Sequence, residues 1–241
     1  MGRFLPQKRM GFGLYIVLGV VFVTLLLYLL KLFEPTSPPK NVQISNISDH
    51  QATISWITDK PTRGQVIISE DGNFPVLPVF ADTIYWDDGE KKSKVQRFYT
   101  THLVTVDKLD PNKSYSYLIY QDWKKVSGGE FKMAGTLSSI SAPNPVYGRV
   151  LDADQKPVVG ALVYFWVTTS REISSLLSAL TNSDGGWSVD LGNLRTKDLK
   201  FTFPVSSKSA ERVIVETGLK GPVQASVSAG QDKPWPNIIL R

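Results

Sequence analysis

Two histidines, His50 and His102, no cysteine and a few short acidic groups are what this chain offers to covalent or metal chemistry. Without thiols there is neither a cysteine nucleophile nor a disulfide, and two histidines far apart in sequence do not make a Cys/His zinc site. No serine elbow, phosphate-cradling glycine loop or metalloprotease motif is present. The carboxylates fall in Asp87-Asp88-Gly89-Glu90 and at Asp152, Asp154 and Asp184, beside residues that form turns. Such aspartates cap their own backbone. Three of them converging at one end of a domain would instead attract calcium, although none fits the acidic calcium-loop spacing. His102 reads as a packing or hydrogen-bonding strand residue. Tyr85 and Trp86, with Phe80 nearby, are the candidate ligand-binding residues: an exposed aromatic platform beside carboxylates suits a sugar or peptide. The other reading of the same stretch is a hairpin turn at Asp-Asp-Gly with core aromatics. No enzyme activity, cofactor or metal is expected.

The elements that must position these residues follow from periodicity. Val42 and Ile44, then Ala52, Ile54 and Trp56, then Val66 and Ile68, then Tyr115, Tyr117 and Ile119 alternate with polar residues between Gly, Pro, Asn and Asp clusters. Short strands at this spacing predict antiparallel sandwiches. The run from Asp71 to Thr100 is too long for a plain hairpin, and long excursions concentrate binding residues. Ahead of the strands, Gly11 to Leu30 carries no charge and follows Arg3, Lys8 and Arg9. At about 1.5 Å per residue that stretch matches a bilayer core of roughly 30 Å. It predicts a membrane-spanning helix over residues 11–33, with a cytoplasmic basic head at 1–10 and everything later exported. Pro35-Thr-Ser-Pro-Pro39 then reads as a stiff linker over 34–39. The formal charge is +5, but residues 1–34 hold Arg3, Lys8, Arg9 and Lys31 against Glu34, so three of the five excess charges are topogenic. Nucleic acid is therefore not an expected partner.

Residues 40–137 resemble a fibronectin type III domain. The resemblance is carried by Pro39-x-x-Val42, by Ala52-Thr-Ile-Ser-Trp56 and by Leu109-Asp-Pro111-Asn-Lys-Ser-Tyr115, whose spacing is similar to the family's tyrosine corner. It implies structural roles for Trp56 and Tyr115. Ser55-Trp-Ile-Thr58, Pro61-Thr-Arg-Gly64 and His102 are most similar to the variant that precedes purple acid phosphatase catalytic domains, without the metal-binding domain itself. After a Ser/Pro-rich linker at 138–145, residues 146–241 resemble the carboxypeptidase regulatory-like, transthyretin-like β-sandwich family. Here the carriers are Gly148-x-Val-x-Asp152, Pro157-Val-x-Gly-Ala-x-Val163 and Thr181-x-Ser-Asp-Gly185. Such modules are typically noncatalytic. Ile173, Leu176, Leu177 and Leu180 form an apolar stripe at helical spacing, expected to cover this sandwich's own core.

The expectation is an all-β chain of two tandem sandwiches behind one anchor helix. It would be a noncatalytic, single-pass cell-membrane protein of prokaryotic type, its C-terminal modules extracellular or periplasmic. Its partner would be a surface protein or cell-wall polysaccharide, as in adhesion. The alternative is a glycan-binding accessory that tethers an enzyme or the cell to carbohydrate. Asn46-Ile-Ser48 and Asn112-Lys-Ser114 are glycosylation sequons, relevant only in a eukaryotic host.

Overall fold

The computed structural model describes residues 12–32, 37–75, 84–91, 95–122, 124–139 and 141–241. The basic head (Arg3, Lys8, Arg9), the start of the linker, Phe80, Lys92 and Lys94 lie outside them. The chain divides into two compact units, Met1–Pro35 and Thr36–Arg241.

The first unit is one helix, α1 (Phe12–Leu32), of 21 residues. Leu, Val, Ile and Phe dominate it all round, and the large side chains from Tyr15 to Leu29 are exposed. Among the described residues no helix is long and apolar enough to cross a membrane.

Among its described residues the second unit holds fourteen strands. β1 (Lys40–Ser45), β2 (Ala52–Thr62) and β5 (Tyr99–Val106) form one antiparallel sheet in the order β1-β2-β5. β3 (Gly64–Ser69), β4 (Ile84–Trp86), β6 (Ser114–Gln121) and β7 (Lys124–Lys132) form its partner sheet, in the order β4-β3-β6-β7. Alternation puts Ala52, Ile54 and Trp56 of β2 between the sheets, where they meet Val66, Val104, Val106, Ile119 and Phe131. The tyrosine corner is formed: Asp110 N–H donates to the Tyr115 hydroxyl at 3.0 Å, and the ring stacks on Phe131. This module is a fibronectin type III-like β-sandwich.

A second sandwich follows. β8 (Pro145–Asp152) sits between β11 (Gly186–Asp190) and β14 (Ile238–Leu240), the latter parallel to it. Against these lies the sheet β10-β9-β12-β13, built from β9 (Leu162–Thr168), β10 (Leu177–Leu180), β12 (Ala210–Glu216) and β13 (Val223–Ser228). Val163, Phe165, Val167, Trp187, Leu194, Val213, Val215 and Trp235 fill its core.

β2 departs from simple alternation, because both its faces are buried. Its outward residues Thr53, Ser55 and Ile57 face the outward residues of β9, β10 and β12, so the outer faces of two sheets close on each other. Leu103, Leu162 and Tyr164 form a small apolar cluster there with Ile57, Leu176, Leu180 and Ile214. The apolar stripe is thus resolved as a strand with the residues before it. Leu177 enters the module's own core, Leu176 and Leu180 face the other sandwich, and Ile173 is exposed.

Candidate functional site

The residues with catalytic character meet inside the first sandwich. His102 comes from β5 and Trp56 from the paired position of β2, and their rings stack at 4.7 Å with an angle of 12°. His102 Nδ1 lies 3.0 Å from Asp87 Oδ2, and its Nε2 lies 3.1 Å from Thr62 Oγ1. Neutral imidazole satisfies both contacts if Nδ1–H donates to the carboxylate and Nε2 accepts from the hydroxyl. Tyr99 adds an edge-on ring at 6.4 Å. Gly64 closes the site, since a Cβ there would stand 2.5 Å from His102 Nδ1 and 2.7 Å from Trp56 Cζ2.

The order hydroxyl, imidazole, carboxylate is that of a nucleophile with its base and orienting acid. What differs is access. Thr62, His102 and Asp87 are 4%, 0% and 1% exposed, and Trp56 covers one ring face, so the trio lies buried within the sandwich. Burial pushes the Asp87 carboxyl above its ordinary range, opposed by its hydrogen bond from His102. Glu90, also buried, accepts the backbone N–H of Arg97 at 2.6 Å. The acidic group is therefore no surface turn alone: Asp88 caps Thr105 through its backbone N–H and hydroxyl, while Asp87 points inward.

Tyr85 and Trp86 are adjacent in β4, and successive side chains of a strand face opposite ways. Tyr85 pairs with Val66, packs on the core and donates its hydroxyl to the Asp107 carbonyl at 3.1 Å. Trp86 pairs with Gln65 and lines a recess with Glu90, Lys91 and Gln96. The expected platform of both rings on one face does not form, for this geometric reason. Trp235, a further large aromatic, is buried.

In the second sandwich Asp152 caps backbone, and Asp154 pairs with Lys156 at 3.9 Å. Asp152 accepts the N–H groups of Asp154 and Lys156, both at 2.9 Å, and the Thr181–Gly185 turn is capped by Asn182 rather than Asp184. Among the described residues no three His, Cys, Asp or Glu side chains gather as a metal site. A carboxylate that sequence reasoning missed is Glu211 of β12. It is fully buried, its Oε2 accepts Trp235 Nε1–H at 3.1 Å, and its Oε1 has no hydrogen-bond partner among the described residues. Burial pushes its pKa up to about 7, opposed by the Trp235 hydrogen bond, while Asp232 raises it and Lys233 lowers it. The available signal was parity, because Glu211 shares a face with Val213 and Val215.

The junction of the two sandwiches is as built as either core. Asn46, at φ +50°, uses its side-chain amide as a strand edge. Its Oδ1 accepts Ser178 N–H at 2.9 Å and its Nδ2 donates to Ser178 O at 3.0 Å, while its backbone N–H donates to Leu176 O. Ser45 and Ser178 hydroxyls meet at 2.7 Å, and Ser55 meets the Tyr164 hydroxyl at 3.0 Å. Asn41 donates to the otherwise buried Glu216. Thr101 donates to Gly160 O, Thr100 to Thr217 O, and Arg195 to Gly135 O. Gly218, at φ +73°, permits the close approach: a Cβ would lie 2.8 Å from Thr100 O and 2.9 Å from Thr58 O.

No family model and no characterised protein sequence matches the chain. Among solved structures it is similar to PhoD, at 12% identity and a TM-score of 0.33, over 49% of this chain and 23% of that one. It is also similar to the FN1–FN3 domains of chicken CNTN1, at 10% identity and a TM-score of 0.28, over 81% of this chain and 67% of that one. The central fibronectin-III array of RIM-binding protein matches at 13% identity and a TM-score of 0.25, over 78% and 63%. The chain thus spans less than a quarter of the PhoD structure.

Proposed function

We propose that the protein is a noncatalytic surface or envelope component, held to a membrane by α1, that presents its two sandwiches as one rigid unit to a surface protein or cell-wall polysaccharide. The observation carrying this reading is where the chemistry lies. The one hydroxyl–imidazole–carboxylate arrangement among the described residues is sealed behind Trp56, and polar side chains elsewhere tie sandwich to sandwich. The uncharged stretch Gly11 to Leu30 behind three basic residues supports a single-pass anchor with a cytoplasmic amino terminus. The motif set around Gly148, Pro157 and Thr181 supports a carboxypeptidase regulatory-like identity for the second sandwich, itself a family of binding and spacing modules. The resemblance of the first module to the purple acid phosphatase variant belongs to the same proposal, without the phosphatase chemistry.

Protease added to intact cells or spheroplasts tests the reading. The β unit should be digested from outside while the head survives. Full protection of residues 40–241 would contradict it, as would hydrolysis of phosphoesters, glycosides or peptides by the purified chain that disappears in His102→Ala.

A further inference from the structure

The end of the β unit where the chain enters it differs from the rest of the surface. Ser37 is buried there, and its Oγ accepts the N–H groups of Asp59 at 3.0 Å and Lys60 at 3.3 Å. The same end gathers Phe98, Val159 and Leu219, exposed by 55%, 64% and 75%. With Pro61, Gly160 and Leu240 they line an open groove of about 440 Å³. Scattered exposed apolar residues need no explanation, but several on one groove from two modules do. Phe98 belongs to the first sandwich. Val159 and Leu219 stand on turns of the second, beside Gly160 at φ +72° and Gly218 at φ +73°.

The surroundings are cationic. Lys60 adjoins Pro61, Arg97 adjoins Phe98, Lys220 lines the groove, and the Arg63 guanidinium lies over the Phe98 ring at 4.5 Å. Opposing them are Asp59, already paired with Lys40 at 2.6 Å, Asp122 of the neighbouring turn, and the buried Glu90, which lies within the field of Arg63 and accepts the Arg97 N–H.

Chain length bounds how far this end can stand from the end of α1. Four residues separate Leu32 from Ser37, a tether of at most roughly 17 Å fully extended. If α1 anchors the chain, the bilayer surface lies within that reach of Ser37. Apolar tips ringed by Lys and Arg are the chemistry of an interfacial lipid contact, in which rings and branched side chains enter the acyl boundary and cations meet anionic headgroups. We infer that this end of the β unit docks on the anionic lipid surface of the membrane that holds α1. Phe98, Val159 and Leu219 dip into it, and Lys60, Arg97 and Lys220 lie at the headgroups. This rests on the anchor reading above.

The absence of native cysteine allows a clean test. Leu219→Cys, Val159→Cys and, at the far end of β9 beside Thr168, Ile173→Cys carry a nitroxide in the full chain. Each variant is reconstituted in phosphatidylcholine vesicles, with or without phosphatidylglycerol. Docking predicts that labels at 219 and 159 lose collisions with a water-soluble nickel chelate and gain collisions with oxygen, while the label at 173 does not. The protection should be larger with phosphatidylglycerol and fall in Lys60→Glu/Lys220→Glu. Equal chelate access at all three positions in vesicles that retain the chain through alkaline extraction would overturn docking and leave the anchor standing. Release of the chain by alkali would overturn the anchor itself. Protection that persists in detergent without lipid would show a protein contact instead, and overturn the lipid assignment.

Discussion

Glu211→Gln isolates one buried charge, and its effect on stability must depend on pH. In the folded protein the Glu211 pKa stands at about 7, against an ordinary 4.5. The folded state therefore holds its proton more tightly than the unfolded chain. The stability this contributes is complete below about pH 4.5, declines as pH rises and is gone above about pH 7. At about 1.4 kcal/mol per unit the full shift corresponds to roughly 3 kcal/mol, reduced to about 2 kcal/mol by screening around the carboxyl. For a unit of this size that is a change of about 4–8 °C in Tm. Glutamine keeps an oxygen to accept Trp235 Nε1–H but carries no charge. Thermal unfolding of the full chain, followed by near-UV circular dichroism from about pH 4.5 to 8, supplies the comparison. The Tm difference between Glu211→Gln and wild type should move in favour of the variant as pH rises, and level off past about pH 7. Asp87 and Glu90, whose carboxyls are also raised, tilt both proteins in the same direction and cancel in the difference. A difference constant across the range would refute the reasoning.

Trp56→Ala should cost about 3–5 kcal/mol and Tyr115→Phe only about 0.5–1.5 kcal/mol, because the first empties the core and the second removes one hydrogen bond; chemical denaturation reads both, and equal shifts would contradict these assignments. Gly64→Ala should destabilise by at least about 1–3 kcal/mol, since its Cβ meets His102 and Trp56; a variant of unchanged midpoint would show that the ring pair yields. Asn46→Ala should cost about 1–3 kcal/mol and loosen the junction, as it leaves the buried edge of Ser178 without its partners; unchanged amide exchange at Ser178 would contradict that role.

The cores were legible because their code is local. Alternation marked Ala52, Ile54 and Trp56 as inward, and the spacing from Leu109 to Tyr115 marked a corner whose hydrogen bond is present. The partners of His102 were not legible, because Asp87 stands fifteen residues away in sequence and an Asp-Asp-Gly triplet spells a turn equally well. Tyr85 and Trp86 were grouped by proximity, where the strand's period of two separates them. The junction escaped for a related reason. Thr53, Ser55, Ser45 and Ser178 look like solvent-facing positions, and only the apposition of two sheets turns small hydroxyl residues into contacts. Asn46 likewise reads as a sequon or a turn, while its amide serves as a strand edge.

The central claim is that the two sandwiches form one rigid presenting unit. Lys132 of β7 and Ser226 of β13 are exposed, one on each module, and no native cysteine competes for label. Pulsed electron-electron distance measurement on Lys132→Cys/Ser226→Cys should give a single narrow distance distribution, and Asn46→Ala in that background should broaden it. A broad distribution in the otherwise native chain, unaltered by Asn46→Ala, would contradict the account.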